Sequence, residues 1–532
     1  MYPALQVIDI INDILSKLVE DDEDKKANQK AGTVDKRNTK DLLSAALCCK
    51  RLTGPSLDHL WRHMDSILPL LKLLPGAIKS SGSIYITGSI DSQAIPLRVR
   101  QYAERILDLT YTIRGDSDFN LPHSSAWIRL STLAGGLLPR LRSFKILYGP
   151  STVNGIEKSL LLLPAILQCR TLKSISIDLP ADLPKYGHAL GSTLAIISDF
   201  NLDIMDLSLT GSSIDGYTDR LSSIKSLKSV TLKLLSGGLS TDILSSLSCL
   251  PNLSEITLDF PDTLTMAFII GSHLFRSLTK LTLRGSPTLE SSLSYIVAPQ
   301  LQQLNLFCKS SQFSHSITKS RVNLGIYPDL QAMTVSWGTV SWGVNLSNRP
   351  IITNLSLNIP RLTDIRNFTL MSLDPNLCVT EEEIAATAAA WPHLTVLRIE
   401  HIVKPAHGPG LTSLGYFAKL CPQLSELSIT LKEDFPLVNG GDPVSFHRLQ
   451  RLDLQHTVVA DHAHMARYID GLFPNLLHFS LLSKEDCSLV SAIIFKACQP
   501  VRKDQKKRDM EVFALPLCPT SSKPLPKNSR VH

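Results

Sequence analysis

The sequence predicts an α/β solenoid, with parallel strands on a concave face and helices outside, preceded by a small all-α module. Three observations carry this expectation. The pattern L-x-x-L-x-L recurs along most of the 532-residue chain, the stretches between copies have helical spacing, and proline stands just ahead of many copies. A unit of this size cannot bury its apolar side alone, so successive copies must stack.

The clearest copies are Leu253–Leu258, Leu278–Leu283 and Leu301–Leu306. First positions fall at Ile106, Leu141, Leu172, Ile204, Leu227, Leu253, Leu278, Leu301, Leu330, Ile352, Leu394, Leu424, Leu449 and Leu476. The mean step is about 28 residues, with single steps from 22 (330 to 352) to 42 (352 to 394). In most copies the apolar residues alternate with Ser, Thr or Asn, the period of a half-buried strand. Between copies, sets such as Ile243, Leu244, Leu247 and Leu250 have helical spacing. Pro139, Pro251, Pro299, Pro328, Pro392, Pro422 and Pro474 precede the next copy, and proline disfavours helix in the residue before it. Strand, loop, helix and proline stop make one right-handed unit. This pattern, over about Ile106 to Leu482, resembles leucine-rich-repeat proteins. It departs from them at the position three residues beyond the last leucine. There the family's Asn or Cys is replaced by residues such as Lys309 and Thr457, so the loops are expected to diverge from unit to unit.

Residues 1–64 read as a separate helical module. Ile8, Ile11, Ile14, Leu15 and Leu18 form an apolar stripe, and a polar insertion at 20–40 reads as a solvated loop. Thr39 is placed to cap a second helix, Asp41 to Leu52, which Gly54-Pro55 is expected to break before a third helix, Ser56 to Met64. The order Pro3, Ile10-Ile11, Ile14-Leu15, Leu42-Leu43, Ala46-Leu47, Cys49-Lys50, Leu57, Leu60 and Trp61 resembles the F-box. The long insertion and a blurred start depart from that motif. F-box followed by irregular leucine-rich repeats resembles the fungal-type members of that family.

The resemblance implies a substrate-recognition subunit of a Skp–cullin–F-box ubiquitin ligase. Pro3, Ile10, Ile11, Ile14, Leu15, Leu42, Leu43, Leu47, Leu60 and Trp61 would contact the Skp-type adaptor, and the repeats would bind an unknown protein substrate. The alternative is a non-enzymatic repeat scaffold in which the same helices cap the stack and no ligase is involved. The remaining boundaries are a linker or cap at 65–100, repeats over 101–495 and a basic, disordered tail at 496–532.

Composition agrees with a binding protein. Apolar residues make up 43% of the chain and charged residues 19%, enough to fold most of its length. Residues 500–532 hold eight Lys or Arg against three acids, so five of the six net positive charges sit in the tail and the body is balanced. That argues against a dedicated nucleic-acid fold. The apolar run Leu160–Leu167 is interrupted by Pro164 and too short for a membrane span. Met1 to Leu18 carries charges at helical intervals and so lacks the character of a secretory signal. A cytoplasmic or nuclear setting with reduced cysteines is expected.

No nucleophile elbow, Walker motif or dinucleotide fingerprint occurs, so neither an enzyme nor a cofactor is expected. His59 and His63 stand four apart on a helix and His462 and His464 two apart, both read as surface polar groups rather than metal ligands. On the strands, Arg284, Phe307, Trp337, Arg398 and Arg451 are the candidate substrate-binding residues, because exposed arginine and aromatic side chains commonly anchor interfaces.

Overall fold

A computed structural model describes residues 8–20, 36–80, 83–86, 96–113, 137–148, 166, 169–179, 187–199, 202–211, 218–234, 241–260, 272–285, 293, 295–308, 327–337, 362–372, 379–401, 408–432, 447–455 and 462–482. The chain forms two compact units, Met1–Gly343 with Leu357–Ile365, and Val344–Ser356 with Arg366–His532.

The first unit opens with α1 (Ile8–Glu20), α2 (Lys36–Cys48) and α3 (Lys50–Arg62), and α3 runs directly into β1 (His63–Met64). Helix α4 (Leu68–Leu71), an antiparallel hairpin of β2 (Ala77–Ser80) and β3 (Ser83–Ile86), and α5 (Leu97–Ala103) follow. The repeats are β4 (Asp108–Ile113), β5 (Ser143–Tyr148), β6 (Ser174–Asp178), α6 (Gly187–Asp199), β7 (Asp206–Gly211), α7 (Thr218–Ser223), β8 (Ser229–Leu234), α8 (Thr241–Ser248) and β9 (Glu255–Asp259). They continue through β10 (His273–Leu274), β11 (Lys280–Gly285), β12 (Ile296–Val297), β13 (Gln303–Cys308) and β14 (Ala332–Trp337). Strands β1, β4 to β9, β11, β13 and β14 pair in parallel and in that order, while β10 and β12 pair separately on the return path.

The second unit contains β15 (Asn367–Ser372), α9 (Glu381–Ala390), β16 (Val396–His401), α10 (Ser413–Leu420), β17 (Glu426–Thr430), β18 (Arg451–Gln455), α11 (His462–Leu472) and β19 (His478–Leu482), with its five strands parallel and in sequence. Each unit is an α/β leucine-rich-repeat solenoid.

Thirteen of the fourteen first positions lie two residues ahead of a strand. The exception, Ile352, falls outside the described residues. The first position of β15 is instead Ile365, which is fully buried. With Ile365 in place the steps run from 23 (204 to 227) to 35 (330 to 365), a narrower range than the motif alone suggested.

The prolines do more than stop helices. The residue ahead of each is buried (Leu138, Leu250, Ala298, Tyr327, Trp391, Cys421 and Phe473). In six of these seven turns the first-position N–H then donates back to that residue's carbonyl, as from Leu424 to Cys421 at 3.1 Å and from Leu394 to Trp391 at 3.1 Å. This is a β-turn with proline at its second position, where a fixed φ is already correct. At Pro392, Pro422 and Pro474 it drops a helix end into the core, and the strand begins two residues after the first position.

Adjacent repeats are joined by a ladder at the second position. The carbonyl there accepts the N–H groups of the second and third residues of the next copy. Arg142 O, for example, takes Lys173 at 2.8 Å and Ser174 at 3.0 Å, and Thr395 O takes Ser425 at 2.8 Å and Glu426 at 3.2 Å. Side chains reinforce it: the hydroxyls of Ser254, Thr279, Thr395 and Ser425 donate to the same carbonyls. One residue ahead of the first leucine, Thr171, Ser226, Asn252, Ser277 and Asn475 donate to the preceding turn. These groups satisfy main-chain carbonyls at the turn that leads into each strand.

The helical module differs from its sequence reading in two places. Helix α2 begins at Lys36, so Thr39 lies inside it and residues 36–40 of the expected loop are helical. The break after α2 is at Cys49, extended at φ −158° and ψ 154°, and α3 continues through Gly54-Pro55. Pre-proline crowding comes largely from the preceding Cβ, which Gly54 lacks, so the helix survives there.

Gly285 closes β11 at φ 120°, and a Cβ there would lie 2.2 Å from the carbonyl oxygen of Phe260, whose own N–H donates to Arg284 O at 2.7 Å. Gly285→Ala is expected to cost about 1–3 kcal/mol through strain and displaced backbone. Gly471→Ala, in open space near the end of α11, is expected to be neutral or to stabilise by up to about 1 kcal/mol. Urea denaturation of both variants checks the contrast.

Buried His447, in the turn before β18, accepts the Leu449 N–H at Nδ1 (3.1 Å), so Nε2 carries the proton and donates to Cys421 O (2.9 Å). Burial holds its pKa below 6.5, against an upward pull from the Cys421 and Phe417 carbonyls. The unfolded chain therefore binds a proton that the fold refuses. This stability is fully present above pH 6.5 and is lost as pH falls below it. The urea midpoint should drop on acidification, and less so in His447→Gln. Burial displaces His59 and His273 in the same direction, so part of the slope should persist.

Candidate interaction surfaces

In the helical module, Ile11, Leu15 and Leu42 form a buried cluster with Ala45, Leu52 and Leu60 packed on it. Of the residues matched to the F-box, these four (Ile11, Leu15, Leu42 and Leu60) hold the helices to one another. Ile10 and Ile14 stay 40% and 46% exposed, and Leu43 and Leu47 48% and 79%. Each pair is four residues apart and so lies along one helix face. Pro3 lies outside the described residues.

Trp61 turns toward the repeats. Its ring stacks on Tyr102 of α5 at 4.5 Å between centroids. It also stands two residues before β1, where the first-position leucine stands in the later copies. Arg105 completes the junction, donating to Gly54 O at 2.9 Å and pairing with Asp58. The module and the first strands are thus joined by side chains as well as by the chain.

On the sheet, shared register sorts side chains into columns. Two inward columns, such as Leu281-Leu304 and Leu283-Leu306, are buried. The middle outward column carries Thr231, Thr257, Thr282, Asn305 and Thr334 in succession, with Asn305 donating to Thr282 at 3.1 Å. Arg284 and Phe307 stand side by side in another column, the guanidinium 4.9 Å over the ring. Trp337 closes β14 in register with Cys308. In the second unit, Arg398 pairs with Glu426 at 2.9 Å, and Arg451 with Asp453 at 2.8 Å, which also accepts from Ser480. Of the five candidate face residues, only Arg284 and Phe307 are brought together.

Two titratable groups mark dry or charged spots. Burial pushes the Cys421 thiol up to about 12, so it is a packing residue. Burial and the neighbouring Glu255 raise the Asp206 carboxyl, against Lys228. Among the described residues, no group of three or more His, Cys, Asp or Glu is placed to hold a metal, and no helix is long and apolar enough to cross a membrane.

No family model and no curated protein matches the sequence. Among solved structures, the chain is similar to TLR13 in its complex with ssRNA13 (15% identity, TM-score 0.38, 72% of this chain and 55% of that one). This chain therefore spans about half of the TLR13 chain. It is also similar to an internalin, InlF, from Listeria monocytogenes (12%, TM-score 0.35, covering 77% and 96%) and to a leucine-rich-repeat protein of Leptospira interrogans (13%, TM-score 0.37, covering 80% and 96%).

Exposure separates the two kinds of apolar residue in the module. Leu42→Ala is expected to destabilise it by about 2–5 kcal/mol. Leu47→Glu should stay within about 0.5 kcal/mol of wild type. Thermal unfolding followed by circular dichroism distinguishes them.

Proposed function

We propose that this chain is a non-catalytic recognition protein that serves a Skp–cullin–F-box ubiquitin ligase, docking the Skp adaptor through its helical module and a protein substrate through its repeats. The observation that carries the reading is the exposure of Ile10, Ile14, Leu43 and Leu47 on helices whose Ile11, Leu15, Leu42 and Ala46 are already buried. A large aliphatic side chain kept in water gains by about 1.5–3 kcal/mol when a partner covers it fully. The F-box-like order of Leu42 to Trp61 names the partner. The outward columns of the sheet, with Arg284 and Phe307 together, would offer the substrate polar residues and one aromatic–guanidinium anchor.

A second reading, a repeat scaffold with a helical cap, is favoured by the junction itself. Trp61 on Tyr102 and Arg105 on Asp58 are what a cap requires. The readings separate on the exposed residues, which a cap does not use. Full-length protein is expected to co-purify with a Skp adaptor, and Ile14→Glu with Leu47→Glu should abolish the complex without lowering the melting temperature. If the intact protein captures no adaptor, the scaffold reading stands.

A further inference from the structure

The rim of the sheet where strands begin is chemically uneven in the first unit. Around β5 to β8 it carries Arg140, Arg142, Arg170, Lys173, Lys225 and Lys228, all at or beside the proline-type turns or the second position. Lys173 pairs with Asp203, one repeat on, and Lys228 acts on Asp206. Arg140, Arg142, Arg170 and Lys225 are exposed and make no ion pair among the described residues. Six cations face two carboxylates over four repeats.

The repeat does not demand this. In the following copies the second position of Arg142, Lys173 and Lys228 holds Ser254, Thr279 and Gln302, the first two donating into the inter-repeat ladder. The position of Arg140 holds Asn252 and Ser277, which donate to the preceding turn, and the position of Arg170 and Lys225 holds Pro251 and then Arg276. Charge therefore gathers where the fold would accept an amide or hydroxyl. Like charges on neighbouring repeats, about 4.8 Å apart, repel one another and are tolerated where an anion is available.

We propose that this rim is a docking surface for an acidic segment of a partner protein, a run of Asp or Glu laid across β5 to β8. Four strands span about 14 Å, the reach of roughly five extended residues, whose carboxylates match guanidinium forks. A nucleic acid fits less well: the outward residues beside the rim (Ser143, Ser174, Asp206 and Ser229) include no aromatic on which a base would stack. The surface is separate from the helical module, so the inference stands whether or not an adaptor binds there.

The test uses the full chain and a fluorescein-labelled oligoglutamate, read by anisotropy. Arg142→Glu, Arg170→Glu and Lys225→Glu together should weaken binding at least about tenfold. Lys72→Glu, Arg98→Glu and Lys419→Glu, exposed elsewhere, make the same change in net charge, leave the basic tail intact and should alter binding little. The corresponding Gln triple at the rim, with an unchanged melting temperature, should weaken binding to an intermediate degree and guards against misfolding. Equal losses in the rim and control triples, or no loss in the rim triple, would overturn the proposal. Tighter binding of an oligothymidylate than of the oligoglutamate, lost in the rim triple, would replace the acidic protein segment with nucleic acid.

Discussion

The second-position carbonyl is the constraint from which the rest of each unit follows. By accepting two N–H groups from the next copy, it fixes where the next strand begins, and it does so from Leu107 to Gln302 in one unit and from Arg366 to Gln450 in the other. A strand started one residue late would turn its leucines outward, because side chains alternate with period two. The register is therefore held by main chain while the leucines are held by burial, and the two agree in every described pair. Columns result. Ile256, Leu281, Leu304 and Met333 share one inward column, and Thr257, Thr282, Asn305 and Thr334 share one outward column.

That agreement explains what could be read from the sequence. A leucine in a fixed inward column has few substitutes, so thirteen first positions announce themselves. Ile365-Arg366-Asn367-Phe368-Thr369-Leu370 escaped notice because Phe368 fills the second apolar place, where its ring packs against Trp391 at 4.8 Å. Ile352 to Leu357 matched the letters better. The side-chain ladder was invisible for the opposite reason. Any hydroxyl or amide can donate to a carbonyl, so Thr171, Ser226, Asn252 and Asn475 do one task with three residue types and leave no consensus. Column membership of Arg284 and Phe307 was legible from strand period, but their cation–π contact required knowing that 23 residues separate stacked neighbours. At α3, the proline rule failed because Gly54 removed the atom on which the rule depends.

Among the described residues, the helical module is bound into this scheme through α3. Trp61 takes the place of a first-position leucine, so the last turn of α3 doubles as the lead-in to a shortened repeat. A Trp there spans the gap to Tyr102 that a leucine would leave open. Rigidity at the junction has a consequence for any partner held by α1 and α2. The orientation of Ile10, Ile14, Leu43 and Leu47 relative to β4 is set before binding, and ordering it costs nothing at the moment of association.

Charges on the sheets of the two units are disposed differently, and the difference bears on specificity. Arg398 and Arg451 already hold Glu426 and Asp453, so a partner carboxylate must displace an existing one to reach them. The exchange trades one ion pair for another and leaves a second carboxylate to be satisfied, which penalises a badly matched partner more than it rewards a good one. Arg284 is held instead by the face of Phe307. A contact through the guanidinium face leaves the N–H donors at its edge to bond a new partner without giving up that contact. Under the proposed function, the paired arginines would act as filters and the arginine over Phe307 as the anchor.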